Sequence, residues 1–195
     1  MIDMDGNGKW NEMKREMGLF PDRNLEFDSY FADIEKEISV GLRNLDSYLP
    51  EIKKKFDLRL PRDYSLTADM ISRFKTNKSI WPMITQIKQR CRCGLLTNMY
   101  PGMLQAIEKS NLLPDISWDV IINSSVEKVQ KPDRRIYEIA EKKAGAKHEE
   151  ILFVDNRESN IKASSDFGWK TFLYDPMNQE LSNKKLMDYF FKEII

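Results

Sequence analysis

Two carboxylates lie two positions apart near the start of the chain, in Asp3-Met4-Asp5-Gly6. On an extended strand, side chains two positions apart point to the same face, and a turn at the strand end can give them separate roles. One carboxylate can then attack as a nucleophile while the other transfers a proton. The same short pattern is common in surface turns, so an active-site pair and a surface loop both stay open at this point.

The same segment also matches the opening of an EF-hand calcium loop, with Asp3, Asp5 and Asn7 at ligand positions and Gly8 at the turn. The twelfth position of such a loop should be a glutamate that binds calcium through both oxygens. It is Lys14 in this chain, a cation. A calcium loop is therefore the weaker interpretation.

A hydroxyl and an amide follow the apolar pair Leu95-Leu96, at Thr97 and Asn98. Thr97, at the end of a buried strand, can donate a hydrogen bond to a phosphoryl oxygen, and it is equally suited to capping the next turn. Lys131 precedes Pro132, which we expect in the first turn of a helix. Lys131 would then lie just outside that helix and can neutralise an anionic group, although most lysines simply face solvent.

Asp155 follows the most hydrophobic predicted strand, Ile151–Val154. A carboxylate at that place is either a cap for the following helix or a ligand for a hard metal ion. Magnesium binds through a few carboxylates together with water and substrate oxygens. Asp3, Asp5 and Asp155 would supply such a set if strand ends bring them together.

The elements that position these residues change in character along the chain. Residues 11–87 show helical spacing of apolar side chains and no convincing strand, whereas strands and helices alternate after Lys88. The predicted strands are Cys93–Leu96, Trp118–Ile122, Ile151–Val154 and Lys170–Tyr174, and the predicted helices cover about 102–111, 133–144, 160–167 and 182–195. This alternation predicts an α/β fold with a doubly wound parallel sheet, in which ligands bind beyond the carboxyl ends of the strands.

Composition and charge exclude several classes of function. The 31 Lys and Arg residues balance 31 Asp and Glu residues, so no net field favours nucleic acid or an anionic membrane. The longest apolar runs are too short to span a bilayer, and no basic or apolar leader precedes Asp3. The two cysteines, Cys91 and Cys93, cannot form a disulfide framework, and with His148 as the only histidine a zinc site would lack ligands. We therefore expect a cytoplasmic protein.

The order and spacing of these segments resemble the haloacid dehalogenase superfamily, in the branch with a helical cap inserted between the first two motifs. The resemblance covers nearly the whole chain and is carried by Asp3-Met4-Asp5-Gly6, Leu95-Leu96-Thr97-Asn98, Ser124-Ser125, Lys131-Pro132-Asp133, Ile136-Tyr137, Phe153-Val154-Asp155-Asn156, Asn160 and Gly168-Trp169. It implies a Rossmann-like α/β core at residues 1–10 and 88–195 and a small helical cap at residues 11–87.

The resemblance also implies catalytic roles. Asp3 would be the nucleophile that forms an aspartyl-phosphate, and Asp5 would protonate the leaving alkoxide and then activate water. Thr97, with help from Asn98, would bind the phosphoryl oxygens, and Lys131 would stabilise the anionic site. These roles match the needs of phosphoryl transfer, which depends on positioning and charge neutralisation.

For the metal, the resemblance implies that Mg²⁺ is held by Asp3, Asp155 and the backbone carbonyl of Asp5. The implied partner is a small phosphorylated metabolite, bound by a monomer or a weak homodimer. Asn156 stands where the family commonly has a second acid, which would reduce the charge around the metal.

Two alternatives to a phosphatase stay open. Family members that cleave carbon–halogen bonds lack an acid two residues after the nucleophile, so Asp5 favours a phosphatase over a 2-haloacid dehalogenase. Only Met1 and Ile2 precede Asp3, where the family has a full buried strand. A late start or a shortened strand is therefore expected, and a catalytically impaired binding protein with this fold is the second alternative.

Overall fold

The computed structural model describes residues 2–3 and 8–193, and for residues 2, 3 and 193 it describes the backbone alone. Backbone contacts divide the chain into two compact units. We call Met1–Thr76 with Met99–Leu113 the helical unit, and Asn77–Asn98 with Pro114–Ile195 the sheet unit. This division places residues 77–87 with the sheet and residues 99–113 with the helices. The predicted cap and core boundaries remain a prediction.

The strands, in chain order, are β1 (Ile2–Asp3), β2 (Lys75–Thr76), β3 (Gly94–Thr97), β4 (Val120–Asn123), β5 (Leu152–Asp155) and β6 (Lys170–Leu173). The helices, in chain order, are α1 (Lys9–Glu16), α2 (Asn24–Ser39), α3 (Leu49–Phe56), α4 (Leu66–Arg73), α5 (Trp81–Lys88), α6 (Met103–Lys109), α7 (Ser124–Glu127), α8 (Arg134–Ala144), α9 (Glu158–Phe167) and α10 (Gln179–Glu193). Among the described residues, none of these helices combines the length and apolar character needed to cross a membrane.

The helical unit packs α1 to α4 and α6 around one apolar core. Its helices begin where local chemistry supports them: Ser65 accepts a hydrogen bond from the N–H of Ala68 at the start of α4, and Pro50 occupies the first turn of α3. The fully buried apolar side chains at the centre are Met13, Phe27, Ile38, Leu45, Ile52, Phe56, Leu66 and Ile107. Their helical spacing in the sequence produces this common face.

The sheet unit contains two pairs of parallel strands. β3 pairs with β4, with Thr97 opposite Asn123, and β5 pairs with β6, with Asp155 opposite Leu173. The helices between the strands make the parallel crossovers possible. All four predicted strands are present within two residues of their predicted limits, and the α/β fold with parallel strands is confirmed.

The core of the sheet unit is built around aromatic side chains. Tyr137 on α8 is fully buried and contacts the rings of Phe153, Phe167 and Trp169 at centroid distances of 5.3–6.1 Å. Edge-to-face pairs at these distances are favourable beyond the apolar area that they bury. They fix α8 and α9 against β5, the strand that ends in Asp155.

Two local predictions were wrong. Lys75–Thr76 forms a strand in a segment predicted to have none, and it pairs antiparallel with β1, with Asp3 opposite Lys75. Two residues are too few for an apolar pattern to specify a partner. Pro132 is outside α8, because the Asp133 side chain accepts a hydrogen bond from the N–H of Arg135 and caps the helix one residue later.

Candidate active site

Lys131 connects the carboxyl ends of β3 and β5. Its Nζ atom donates to the carbonyl oxygen of Leu96 at 2.9 Å and to Oδ2 of Asp155 at 2.6 Å. Both side chains of the ion pair are buried, with 9% of Lys131 and 8% of Asp155 exposed. The structure therefore brings together the two charged residues that the sequence placed at these strand ends.

Asp155 is held by donors on both of its carboxylate oxygens. Oδ1 accepts from the N–H of Arg157 at 2.8 Å and from Nδ2 of Asn160 at 3.2 Å, while Oδ2 accepts from Lys131. The bond from Arg157 closes an Asx turn between β5 and α9. Because a buried carboxylate is costly unless it is paired and hydrogen-bonded, this set of donors explains how the charge is tolerated.

Burial lowers the pKa of Lys131 below its usual value, and the neighbouring Asp155 carboxylate opposes this effect. Arg157, a second cation, lowers the pKa further. The face of the Phe153 ring lies 5.2 Å from Nζ and adds a cation–π contact. The ammonium group is thus positioned by an anion, a carbonyl and an aromatic ring together.

Thr97 is the last residue of β3 and follows Leu96, whose carbonyl binds Lys131. Its side chain is half-buried, and within the part of the chain that the structure describes its hydroxyl has no hydrogen-bond partner. The hydroxyl is therefore available to an external acceptor, at the strand end where the Leu96 carbonyl binds the Lys131 ammonium. Hydroxyl and ammonium groups at the end of a strand are suited to binding an oxyanion.

Asn98 contacts the Lys131 backbone on both sides of its carboxamide. Nδ2 donates to the carbonyl of Lys131 at 2.9 Å, and Oδ1 accepts from the N–H of Lys131 at 2.9 Å. The sequence had suggested Asn98 as a helper in substrate binding, and that role stays a prediction. The structure shows that the carboxamide oxygen and one amide hydrogen are engaged with Lys131.

Two buried asparagines near the strand ends were not among the predicted site residues. Asn160, on the first turn of α9, supports Asp155, and its carbonyl accepts from the buried hydroxyl of Tyr137. Asn123, at the end of β4, accepts hydrogen bonds from the N–H and the hydroxyl of Ser125. The sequence signal for Asn160 was its place five residues after Asp155, among the segments that carry the family resemblance.

The first motif is only partly described. The backbone of Asp3 lies in β1 of the helical unit, and Asp5 lies outside the described residues. The described part of the candidate site therefore consists of Thr97, Asn98, Lys131 and Asp155, all in the sheet unit. The catalytic roles of Asp3 and Asp5 remain predictions.

Asp155 can supply one ligand to a hard metal ion. Its Oδ2 atom accepts one hydrogen bond, from Lys131, which leaves a second acceptor site on that oxygen. Among the described residues no group of three or more His, Cys, Asp or Glu side chains could hold a metal ion. Asp155 thus fits magnesium as one carboxylate ligand, and further carboxylates would have to come from outside the described set.

The haloacid dehalogenase-like hydrolase family model matches residues 24–168, about three quarters of the chain. The chain belongs to this family. The matched range includes Thr97, Asn98, Lys131 and Asp155 and begins after the Asp3–Asp5 motif.

Curated relatives match in a limited stretch. The (S)-2-haloacid dehalogenase of Pseudomonas putida is 37% identical over 78 residues, which are 39% of this chain and 33% of that enzyme. The (S)-2-haloacid dehalogenase of Xanthobacter autotrophicus is 29% identical over 94 residues, which are 48% of this chain and 37% of that enzyme. The matches span about a third of the length of these relatives.

Solved structures of the same fold match over most of the chain. A HAD family enzyme from Bacteroides thetaiotaomicron superposes with a TM-score of 0.76 at 17% identity, covering 93% of both chains. The same enzyme in complex with magnesium and inorganic phosphate gives a TM-score of 0.74 at 18% identity, covering 90% of this chain and 89% of that chain. An L-2-haloacid dehalogenase gives 0.62 at 15% identity, covering 89% of this chain and 78% of that chain. These similarities confirm the fold of the haloacid dehalogenase (HAD) superfamily.

Proposed function

We propose that the protein is a magnesium-dependent phosphatase that hydrolyses a small phosphorylated metabolite through an aspartyl-phosphate intermediate. The observation that carries the proposal is the buried Lys131 ammonium, held between Asp155 and the Leu96 carbonyl at the end of β3, one residue before Thr97, whose hydroxyl has no hydrogen-bond partner among the described residues. A cation and a hydroxyl at the carboxyl ends of parallel strands suit the binding of a phosphoryl group.

The chemistry assigns one task to each residue. The Asp3 carboxylate attacks phosphorus as the bond to the leaving oxygen breaks, and Asp5 donates the proton that the alkoxide requires. Asp5 then takes a proton from water, whose oxygen attacks phosphorus and releases Asp3 and inorganic phosphate. Throughout, Lys131 offsets the charge on the phosphoryl oxygens.

Magnesium, when bound, would neutralise phosphoryl charge and orient the substrate, with Asp155, Asp3 and the carbonyl of Asp5 as its ligands. In support, Asp155 keeps one acceptor site on the oxygen that faces Lys131. The HAD family enzyme from Bacteroides thetaiotaomicron, which shares the fold, is described in complex with magnesium and inorganic phosphate.

A 2-haloacid dehalogenase is the second candidate function, and one observation favours it: the curated relatives bear that name. Their similarity covers about a third of their length, so it does not carry their reaction over to this chain. Asp5 favours the phosphatase, because hydrolysis of a phosphoester needs an acid for the leaving alkoxide, whereas a halide leaves without a proton.

The direct test is an assay of the purified protein with Mg²⁺ and an activated aryl phosphate or acetyl phosphate. We expect turnover that EDTA removes and that Asp3→Asn abolishes. Asp33→Asn is the matched control, since Asp33 is an exposed residue of α2 paired only with Lys36, and it should leave turnover unchanged. Turnover of a 2-haloacid without magnesium, together with no phosphatase activity, would establish the dehalogenase instead.

A third result would favour a binding protein over both enzymes. In that case neither substrate class would be turned over, and inorganic phosphate would still stabilise the folded protein against heat. We also propose a cytoplasmic location and a monomer or weak homodimer. The location is supported by the two free cysteines, Cys91 and Cys93, and the association state is checked by light scattering across a range of concentrations.

A further inference from the structure

We propose that Asn98 is a positioning residue that acts through Lys131 rather than a residue that binds substrate. Its carboxamide would hold the Lys131 peptide at the place from which the ammonium group reaches both Leu96 and Asp155. This inference rests on the proposed function for its kinetic consequences. The contact itself can be tested independently of catalysis.

The carboxamide of Asn98 bonds the backbone of Lys131 as a second peptide group would, through one donor and one acceptor. Asn98 Nδ2 donates to the Lys131 carbonyl and Asn98 Oδ1 accepts from the Lys131 N–H, each at 2.9 Å. The two residues are 33 positions apart in the sequence, so the pair joins the end of β3 to the loop between α7 and α8. Two reciprocal bonds fix distance and orientation together, as a single bond would not.

The Asn98 pair is the main anchor of the Lys131 backbone. Within the described residues, the Lys131 N–H and carbonyl make no hydrogen bonds besides the two to Asn98. The rest of the anchoring is at the far end of the side chain, where Nζ meets Leu96 and Asp155. A lysine side chain has about 2 kcal/mol of rotamer freedom to lose, so fixing its backbone reduces the range of positions that Nζ can explore.

Asn98 and Leu96 both lie at the carboxyl end of β3, so the contacts that hold Lys131 are part of the candidate active site. Lys131 is held at its backbone by Asn98 and at its ammonium by Leu96, two residues earlier. The intervening residue is Thr97, with its available hydroxyl. The backbone of Lys131 and its ammonium group are therefore both fixed to the strand end that carries Thr97, and Thr97 and Lys131 are the residues proposed to bind the phosphoryl oxygens.

The expected kinetic effect follows from this geometry. A displacement of about 1 Å in a catalytic group can lower the rate by about 100-fold. We expect Asn98→Ala to lower kcat by about 10- to 100-fold, because Lys131 would lose its backbone anchor. KM should change by less than about threefold, because Asn98 does not touch substrate and a displaced Lys131 loses mainly the charge stabilisation that the transition state requires.

The test combines kinetics with hydrogen exchange measured by NMR at the Lys131 amide. Asn98→Ala removes both bonds, whereas Asn98→Asp keeps the acceptor for the Lys131 N–H and removes the donor to its carbonyl. We expect fast exchange at Lys131 in the first variant and protection closer to wild type in the second. Thermal unfolding of each variant verifies that it is folded.

Asn77→Ala is the matched control. Asn77 is a buried asparagine of the same unit whose carboxamide bonds Tyr174 and Ser79 instead of Lys131. It should lower the melting temperature while leaving both kcat and the exchange rate at Lys131 unchanged.

The exchange rate and the kinetic constants together decide the inference. Slow exchange at Lys131 in Asn98→Ala would overturn it, and so would a rise in KM with kcat unchanged, which would make Asn98 a substrate ligand. If the wild-type protein shows no phosphatase turnover, the proposed function fails, and the exchange comparison still decides whether Asn98 anchors Lys131. If Asn98→Ala does not fold, the folded Asn98→Asp protein decides instead. A lower kcat with unchanged KM in Asn98→Asp supports the inference, and an unchanged kcat overturns it.

Discussion

Replacing Lys131 by methionine removes the cation of the buried ion pair and keeps most of the volume of its side chain. Asp155 would then stay buried without its ion-pair partner, since its side chain is only 8% exposed. Removing one partner of a buried pair leaves an uncompensated charge, which typically costs about 3–5 kcal/mol. We expect Lys131→Met to destabilise the protein for this reason.

The magnitude follows from the donors that remain. Oδ2 of Asp155 loses the one donor that it has among the described residues, whereas Oδ1 keeps the N–H of Arg157 and Nδ2 of Asn160. Two retained bonds favour the lower end of the range, about 3 kcal/mol. For a chain of this length each kcal/mol lowers the melting temperature by about 2–4 °C, so we expect a decrease of about 6–12 °C.

A double-mutant cycle measured by scanning calorimetry tests this reasoning. Asp155→Asn alone should also destabilise the protein, because it leaves the buried Lys131 ammonium without an opposing carboxylate. The double variant should be about 2 kcal/mol more stable than the sum of the two single changes predicts. Lys36→Met is the control, since Lys36 is 71% exposed and should change stability by less than about 0.5 kcal/mol. The reasoning is refuted if Lys131→Met is as stable as this control or if the two changes are simply additive.

Three further predictions concern other parts of the chain. Asp28→Ala should lower the free energy of unfolding in urea by about 3 kcal/mol, because it leaves the buried Lys14, which is 1% exposed, without its ion-pair partner. Lys14→Met should be nearly neutral, because Asp28 is 40% exposed and stays hydrated. Equal losses in the two variants would contradict this. Gly94→Ala should cost about 1–3 kcal/mol, because its Cβ would lie 2.6 Å from Cγ1 of Val120, and adding Val120→Ala should recover part of that loss in thermal unfolding. Burial raises the pKa of Tyr48 to about 12. The wild type should therefore have a higher free energy of unfolding than Tyr48→Phe below pH 10, and this difference should disappear as the pH rises from 10 through 12. A difference that does not depend on pH would exclude the shift.

The strand ends were the most predictable part of the site. Thr97 and Asp155 follow short apolar runs, and in the structure each is the last residue of a parallel strand. An apolar run that ends in a polar residue specifies both the strand and the place where it stops. Once two such strands are parallel, their polar ends lie at the same edge of their sheets, and Lys131 joins them.

The contacts of Asn98 could not be predicted from local patterns. Its partner is the backbone N–H and carbonyl of Lys131. Every residue other than proline has both groups, so the residue type at position 131 does not reveal this contact. The same limit applies to residues 99–113, which group with the helical unit although they follow β3 directly. Periodicity predicts that a helix has an apolar face, and only the tertiary structure shows what that face contacts.

Asp155 was expected to be either a helix cap or a metal ligand; it does not cap α9, which begins after Arg157 without a side-chain cap, and its two oxygens instead have separate roles. Oδ1 closes the turn into α9 through the N–H of Arg157 and also binds Asn160, while Oδ2 faces Lys131 and keeps one acceptor site. Asp155→Asn preserves an acceptor for the turn and removes the charge that a metal ion and Lys131 require. Paired with Lys131→Met, it should therefore retain much of the fold while losing magnesium-dependent turnover and magnesium-induced thermal stabilisation, which separates the structural oxygen from the proposed catalytic one.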